Sequence, residues 1–272
     1  MTKENKFMRS LLLLSKIALM GLILLGNYSY ALCSMPKNAE LVTVKRIIDG
    51  DTIILNDDTR VRLIGINAPE LAKKGKKNSK NEPFALEAKN YLQNLIAQSN
   101  NLIYLAIGED KTDKYGRLLA HTFNQQKNNL EEKMLQTGLA FRISYAPNTK
   151  LDECLKKAEN KARYSKSKLW HSKNVVIPAN KIHKSGFNII KTTVINIKKN
   201  RGGLWLETDD NLVLNISPKV IKNLNKQTLK QINKLIGKNI EARGWIIKRK
   251  NKQHNNVRWL LPITSDSMIK AI

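Results

Sequence analysis

Residues 41–70 read LVTVKRIIDGDTIILNDDTRVRLIGINAPE. Three aliphatic, β-branched runs at 41–48, 52–55 and 60–66 are separated by Asp, Gly and Asn, which predicts a three-stranded meander with Asn56-Asp57-Asp58 as its second turn. Period-2 alternation puts Arg62, Ile64 and Ile66 on one face of the third strand. A guanidinium among such neighbours calls for an anionic partner.

Residues 73–81 form a polar, basic loop. Pro83 then opens an amphipathic helix in which Phe84, Leu86, Ala88, Tyr91, Leu92, Leu95 and Ile96 recur near helical spacing. Strands are predicted at 102–107 and 118–123, followed by a helix over 130–137 stopped by Gly138 and a charged helix over 150–165 ending near Leu169-Trp170. Residues 175–187 read as a linker. Beyond it come strands at 189–197, 204–207 and 212–216, a helix capped by Ser217-Pro218 and running to 236, and strands at 239–247 and 257–261. Three strands, a helix and two strands occur twice, which is the order of a five-stranded Greek-key barrel of the oligonucleotide-binding (OB) type. The expected fold is therefore mainly β with α (α+β), with a barrel and packed helices on residues 32–174 and a second small OB-like barrel on 188–272.

The chain has 272 residues, with 48 Lys and Arg against 22 Asp and Glu, a net charge of +26, and 42% hydrophobic content. That length suits two packed cores, and the charge points to a polyanion such as nucleic acid. At the N-terminus, Lys3, Lys6 and Arg9 precede an apolar stretch at 17–25, and Ser29-Tyr30-Ala31 supplies small residues for a cut. Residues 1–31 thus read as a signal peptide cleaved after Ala31, giving an exported, periplasmic or secreted protein with no membrane span left after cleavage. An uncleaved anchor over 11–25 is the alternative. Cys33 and Cys154 are the only cysteines; in an oxidising compartment they could pair, and otherwise they are two thiols without metal-ligand spacing.

Three clusters could carry chemistry. Asp49-Gly50-Asp51-Thr52 brings two carboxylates together at a strand turn, where the plainer reading is an Asx-type turn. Arg62 to Glu70 ends a strand on Asn67-Ala68-Pro69-Glu70, an oxygen ligand and a carboxylate around a rigid Pro. Asp113-Lys114-Tyr115-Gly116-Arg117 sets two cations beside a ring, or is a solvated turn. In this order, with barrel-like strands between, the clusters resemble the staphylococcal-nuclease-like (thermonuclease) family over about residues 41–170, a likeness extended by Tyr145-Ala146-Pro147-Asn148.

The resemblance implies a calcium-dependent endonuclease acting on phosphodiesters of DNA or RNA with low sequence specificity. It places Asp51, Asn67 and the main-chain carbonyl of Ala68 around Ca2+, with Asp49 as an outer carboxylate. Glu70 matches the general base, Arg62 and Arg117 the phosphate-holding arginines, and Lys114, Tyr115 and Tyr145 residues around the nucleotide. Oxygen donors suit a hard cation, and planar guanidinium forks suit phosphate oxygens. Asn67 departs from the usual Asp, which removes one negative charge from the cage and should lower calcium affinity. Ile143 stands where many relatives carry an aromatic residue near the base.

His121, His171, His183 and His254 match no ligand spacing, and no serine or cysteine triad is suggested. Trp205, Trp245 and Trp259 read as barrel residues in preference to stacking platforms. Residues 181–272 hold 19 basic and 5 acidic side chains, which fits an accessory nucleic-acid grip centred on residues 198–201 and 248–252, or a solvated lysine-rich surface. A non-catalytic nucleic-acid-binding module on the same fold is the competing function. An adhesin for anionic envelopes explains the lysines but not the clusters, and no protein partner is inferred.

Overall fold

The computed structural model describes residues 33–72, 75, 79–249 and 259–272. The expected signal peptide and its cut, much of the 73–81 loop, His254 and positions 250–252 of the second basic run lie outside the described residues.

Strands β1 (Glu40–Asp49), β2 (Thr52–Leu55), β3 (Arg60–Leu63) and β4 (Ile66–Asn67) lead into helix α1 (Ala85–Ala97). Then come β5 (Leu102–Thr112), β6 (Leu118–Phe123), helix α2 (Leu130–Gln136), β7 (Phe141–Arg142) and helix α3 (Asp152–Tyr164). Five strands close into a barrel in the order β1-β2-β3-β6-β5. All neighbours are antiparallel except β3 and β6. Its core joins Ile53, Val61, Leu63, Ile103 and Phe123 of the barrel to Leu92 and Ile96 of α1, Met134 and Leu135 of α2 and Leu155 of α3. Cys33 is buried against this core and is disulfide-bonded to Cys154 of α3, so the paired reading of the two cysteines is the one observed.

The second half repeats the plan. After the short β8 (Val176–Pro178) come β9 (Gly186–Asn200), β10 (Gly203–Thr208), β11 (Leu212–Ile216), helices α4 (Pro218–Ile221) and α5 (Lys226–Asn233), β12 (Asn239–Lys248), β13 (Trp259–Ile263) and β14 (Ile269–Ala271). Hydrogen-bonded neighbours run β9-β10-β11-β13-β12, and β12 returns to β9. The single parallel pair in this ring is β11 with β13, third strand against fifth, as in the first barrel. The OB order read from the sequence is therefore present twice.

Two expected elements divide. The run over 60–66 breaks after Leu63 because Gly65 takes φ +87°, and a Cβ there would lie 2.4 Å from Leu155 Cδ1. Alternation accordingly does not carry from Arg62 to Ile66, which instead pairs with Arg142 of β7. The helix expected over 218–236 is α4 and α5, because Asn225 acts as a second N-cap, its side chain accepting the Thr228 N–H as Ser217 accepts that of Val220.

The two barrels share one compact unit, Cys33–Ile272. Ile143 of the first half belongs to the hydrophobic cluster of the second. Around it runs a buried charge network. Arg243 on β12 donates to both oxygens of Glu159 on α3 at 2.8 and 2.7 Å, and Arg163 on α3 grips Glu241 on β12 at 2.8 and 2.6 Å. Arg142 pairs with Asp152 and donates to the Ser267 carbonyl at 2.8 Å. Each charge has an opposite partner, which such burial requires.

Burial alone would raise the Glu241 carboxyl, but the Arg163 hydrogen bond and charge, then Lys270 and Arg243, hold it down at about 2. A lowered carboxylate pKa stabilises the fold above its ordinary range and loses that contribution as pH falls toward the folded value. Glu241→Gln should therefore cost on the order of 3 kcal/mol at pH 7. Its melting-temperature deficit relative to the parent should narrow steadily from pH 5 to pH 3; a constant deficit would count against the clamp.

Candidate active site

The tightest turn in the first barrel joins β1 to β2. Asp49 Oδ1 accepts the Asp51 N–H at 3.0 Å, closing the loop over Gly50. A Cβ on Gly50 would meet Ala68 Cβ at 2.6 Å and Ala88 Cβ at 2.8 Å, so only glycine lets this turn seat against both the segment after β4 and helix α1. The functional consequence is local: the Asp-Gly-Asp turn and the Asn67-Ala68-Pro69-Glu70 segment are pressed together.

Asp51 links them. Its buried carboxylate accepts the Ala68 N–H at 2.8 Å and pairs with Arg62 Nη2 at 3.1 Å through Oδ2, while Thr52 Oγ1 donates to Oδ1 at 3.1 Å. Arg62 reaches further, donating to the carbonyls of Leu63 at 2.6 Å and Ile66 at 2.8 Å. One guanidinium thus bridges the end of β3, the turn after it and the β1–β2 loop. Burial, followed by the neighbouring Asp51 charge, pushes the Asp49 carboxyl up to about 6; the Asp51 N–H opposes this, Glu70 adds to it, and Arg62 pulls it back. Four of the predicted residues, Asp49, Asp51, Arg62 and Glu70, therefore act on one another electrostatically. Glu70 is exposed, and its backbone is tied to Glu82 by a reciprocal pair of hydrogen bonds at 3.0 and 2.9 Å.

The third cluster forms the turn between β5 and β6. Asp113 accepts the Tyr115 and Arg117 N–H groups and binds the Arg117 guanidinium at 2.7 Å. Partial burial raises the Asp113 carboxyl, but these donors together outweigh it and hold it below the ordinary range. Tyr115 is 72% exposed, with Lys114 Nζ at 5.0 Å and the Arg117 guanidinium at 5.6 Å from its ring. Arg117 is thus engaged within its own turn. Burial pushes the Tyr145 hydroxyl up, the Arg62 cation opposes that, and Tyr115 adds to it. The charges of both clusters are therefore felt at Tyr145.

Among the described residues, no group of three or more His, Cys, Asp or Glu side chains is gathered to hold a metal ion. The donors themselves are oxygens, with the Asp49 and Asp51 carboxylates side by side at the turn. That chemistry fits a hard divalent cation and offers no nitrogen or sulfur for a softer one.

The chain is similar to thermonuclease of Staphylococcus hyicus, 32% identical over 136 residues that cover 49% of this chain and 77% of the relative. It is likewise 32% identical over 148 residues to thermonuclease of Staphylococcus intermedius, covering 53% of this chain and 84% of that one. Residues 60–172 match the family model described as staphylococcal nuclease homologue. The chain belongs to the staphylococcal nuclease family. Its match to the SPbeta prophage-derived endonuclease YokF of Bacillus subtilis is 38% identity over 139 residues, 49% of this chain and 44% of that protein. The family model spans Arg62, Asn67, Ala68, Glu70, the 113–117 turn and Tyr145, and it ends before the second barrel.

Sequence patterns did not reveal the contacts that this second barrel makes with residues 144–146. Trp259 is buried as a barrel residue. Trp205 donates to Asn200 Oδ1 at 2.8 Å, and the Trp245 ring centroid lies 6.2 Å from that of Tyr145. The backbone around Tyr145 is held from the same side: Ala146 N–H donates to the Thr264 carbonyl at 2.9 Å, and Thr264 Oγ1 donates to that of Ser144 at 2.5 Å. The sequence signal for this interface was Ile143, an aliphatic residue buried in the second barrel's cluster.

The two arginines should differ sharply in what they hold. Arg62→Met strands a buried Asp51 and two carbonyls, and should lower unfolding free energy by about 3 kcal/mol or more. Arg117→Met removes a pair at a partly exposed turn, and should change it by less than about 1 kcal/mol. Urea denaturation of both variants decides this, and equal losses would contradict the structural reading of Arg62.

Proposed function

We propose that the chain is an exported, calcium-dependent endonuclease that hydrolyses phosphodiester bonds of DNA and/or RNA with low sequence specificity. Family membership supports a phosphodiesterase nuclease. The observation that carries the finer reading is the tight turn between β1 and β2, where Asp51 binds both the Arg62 guanidinium and the N–H of Ala68, next to Asn67, with Asp49 closing the loop.

In this reading, Arg62 and Arg117 present guanidinium donors to the non-bridging oxygens of the scissile phosphate. Their planar forks meet the negative charge that grows there as water attacks phosphorus. Arg62 is already oriented by Asp51 and two carbonyls, so it spends little freedom on binding. Arg117 exchanges part of its contact with Asp113 for phosphate. Glu70, exposed at the rim, takes the proton of the attacking water as the new P–O bond forms and the bond to the leaving oxygen breaks. Asp51, Asn67 and the Ala68 carbonyl would hold Ca2+, with Asp49 outside them. When bound, this ion would screen the phosphate and acidify the water. Lys114, Tyr115 and Tyr145 flank the nucleotide.

Export fits the disulfide between Cys33, two residues after the expected cut, and Cys154, because such bonds persist in oxidising compartments. No helix among the described residues is long and apolar enough to cross a membrane. The surplus of basic side chains in residues 181–272 adds non-specific attraction for the polyanion.

Purified mature protein should nick plasmid and degrade single-stranded RNA with calcium and stop with a chelator. Glu70→Ala should lower kcat at least about a hundredfold while substrate still binds. Asn67→Asp should tighten calcium binding measured by calorimetry. Tight binding with no cleavage under any of these conditions would replace the enzyme by a binding module.

A further inference from the structure

We infer that Trp245 of the second barrel is a positioning residue for the substrate site of the first, and that the second barrel thereby supplies part of that site's wall. The inference rests on the nuclease reading above. Four ring contacts run in series from the first half into the second and back. Trp170 meets Phe141 at 5.3 Å, Phe141 stacks on Phe187 at 5.7 Å, Phe187 meets Trp245 at 5.1 Å, and Trp245 meets Tyr145 at 6.2 Å with their planes inclined at 48°. Tyr145, which the nuclease reading sets beside the nucleotide, closes the series and is 46% exposed.

The backbone beneath this ring is fixed by the same barrel. Thr264 takes the Ala146 N–H and gives its hydroxyl hydrogen to the Ser144 carbonyl, while Ser144 N–H meets Met268 Sδ at 3.2 Å. Ile143 is sealed into the second barrel's hydrophobic cluster. Position 143 therefore cannot present a side chain to a nucleotide without leaving that core, and an aliphatic residue there follows from its burial. Trp245 supplies an indole next to Tyr145 from a different part of the chain. It rides on β12, which the Arg243–Glu159 and Arg163–Glu241 pairs lock to α3. The ring's position is thereby transmitted through rigid elements.

A phenol backed by an indole loses less rotational freedom on receiving a base than one exposed on both sides, so the benefit is in binding and not in bond cleavage. Trp245→Ala should raise KM for a single-stranded oligonucleotide about tenfold with kcat within about twofold. Trp245→Phe should restore most of the affinity, and Trp205→Ala should leave both constants unchanged. The Tyr145→Ala/Trp245→Ala double variant should bind no worse than Tyr145→Ala alone, which a separate contact elsewhere would not produce. Melting curves identify any variant that is merely unfolded, and for such a variant the comparison passes to Trp245→Leu. An unchanged KM in a folded Trp245→Ala or Trp245→Leu enzyme that still cleaves overturns the inference and leaves the nuclease reading standing. Absence of cleavage in the parent protein overturns the nuclease reading itself.

Discussion

The ion pair between Asp51 and Arg62 is the constraint on which the site depends. Asp51 is buried and Arg62 nearly so, and each is also committed to backbone: Asp51 to the Ala68 N–H, Arg62 to the carbonyls of Leu63 and Ile66. A buried pair of this kind contributes little stability beyond what apolar residues could give, but it fixes geometry, because each charge needs its partner at a set distance. Here it locks the tight β1–β2 loop to the strand end that carries Asn67 and Glu70. Gly50 makes the approach sterically possible.

The second half of the molecule extends the same logic. Two barrels of one topology are joined by arginine–carboxylate pairs that cross between α3 and β12, with an aromatic series alongside. A basic appendage on a loose tether would add only charge. A barrel locked in this way also fixes residues 143–146 around Tyr145, so in the proposed nuclease reading its contribution reaches the nucleotide. Charge still has its place in the proposed function, where the lysines of residues 181–272 would attract phosphates without needing fixed geometry.

Much of this was legible in the sequence because it rests on local periodicity. The aliphatic runs around Asp49-Gly50-Asp51 specify strands and their turn, and repetition of the three-strand, helix, two-strand order specifies two barrels. The division at Gly65 was hidden because Ile64 and Ile66 continue a plausible strand; what breaks it is the close packing of Leu155, distant in sequence. The division before Asn225 turned on which of two competing caps wins. The interface was the least legible part. Glu241 and Arg243 alternate with Ile240 and Ala242 and so resemble the solvated face of an ordinary strand, whereas their partners Arg163 and Glu159 lie about eighty residues earlier on a helix that also reads as a charged surface. Opposite charges buried against each other leave no hydrophobic pattern to read.

The most direct measurement is a crystal structure of the mature protein with calcium and an oligonucleotide carrying a non-hydrolysable linkage. The account predicts that phosphate oxygens lie between the guanidinium groups of Arg62 and Arg117, that calcium sits against Asp51 and Asn67, and that a base lies along Tyr145. An oligonucleotide bound only on the second barrel, with Arg62 still turned wholly to Asp51 and the backbone, would contradict it.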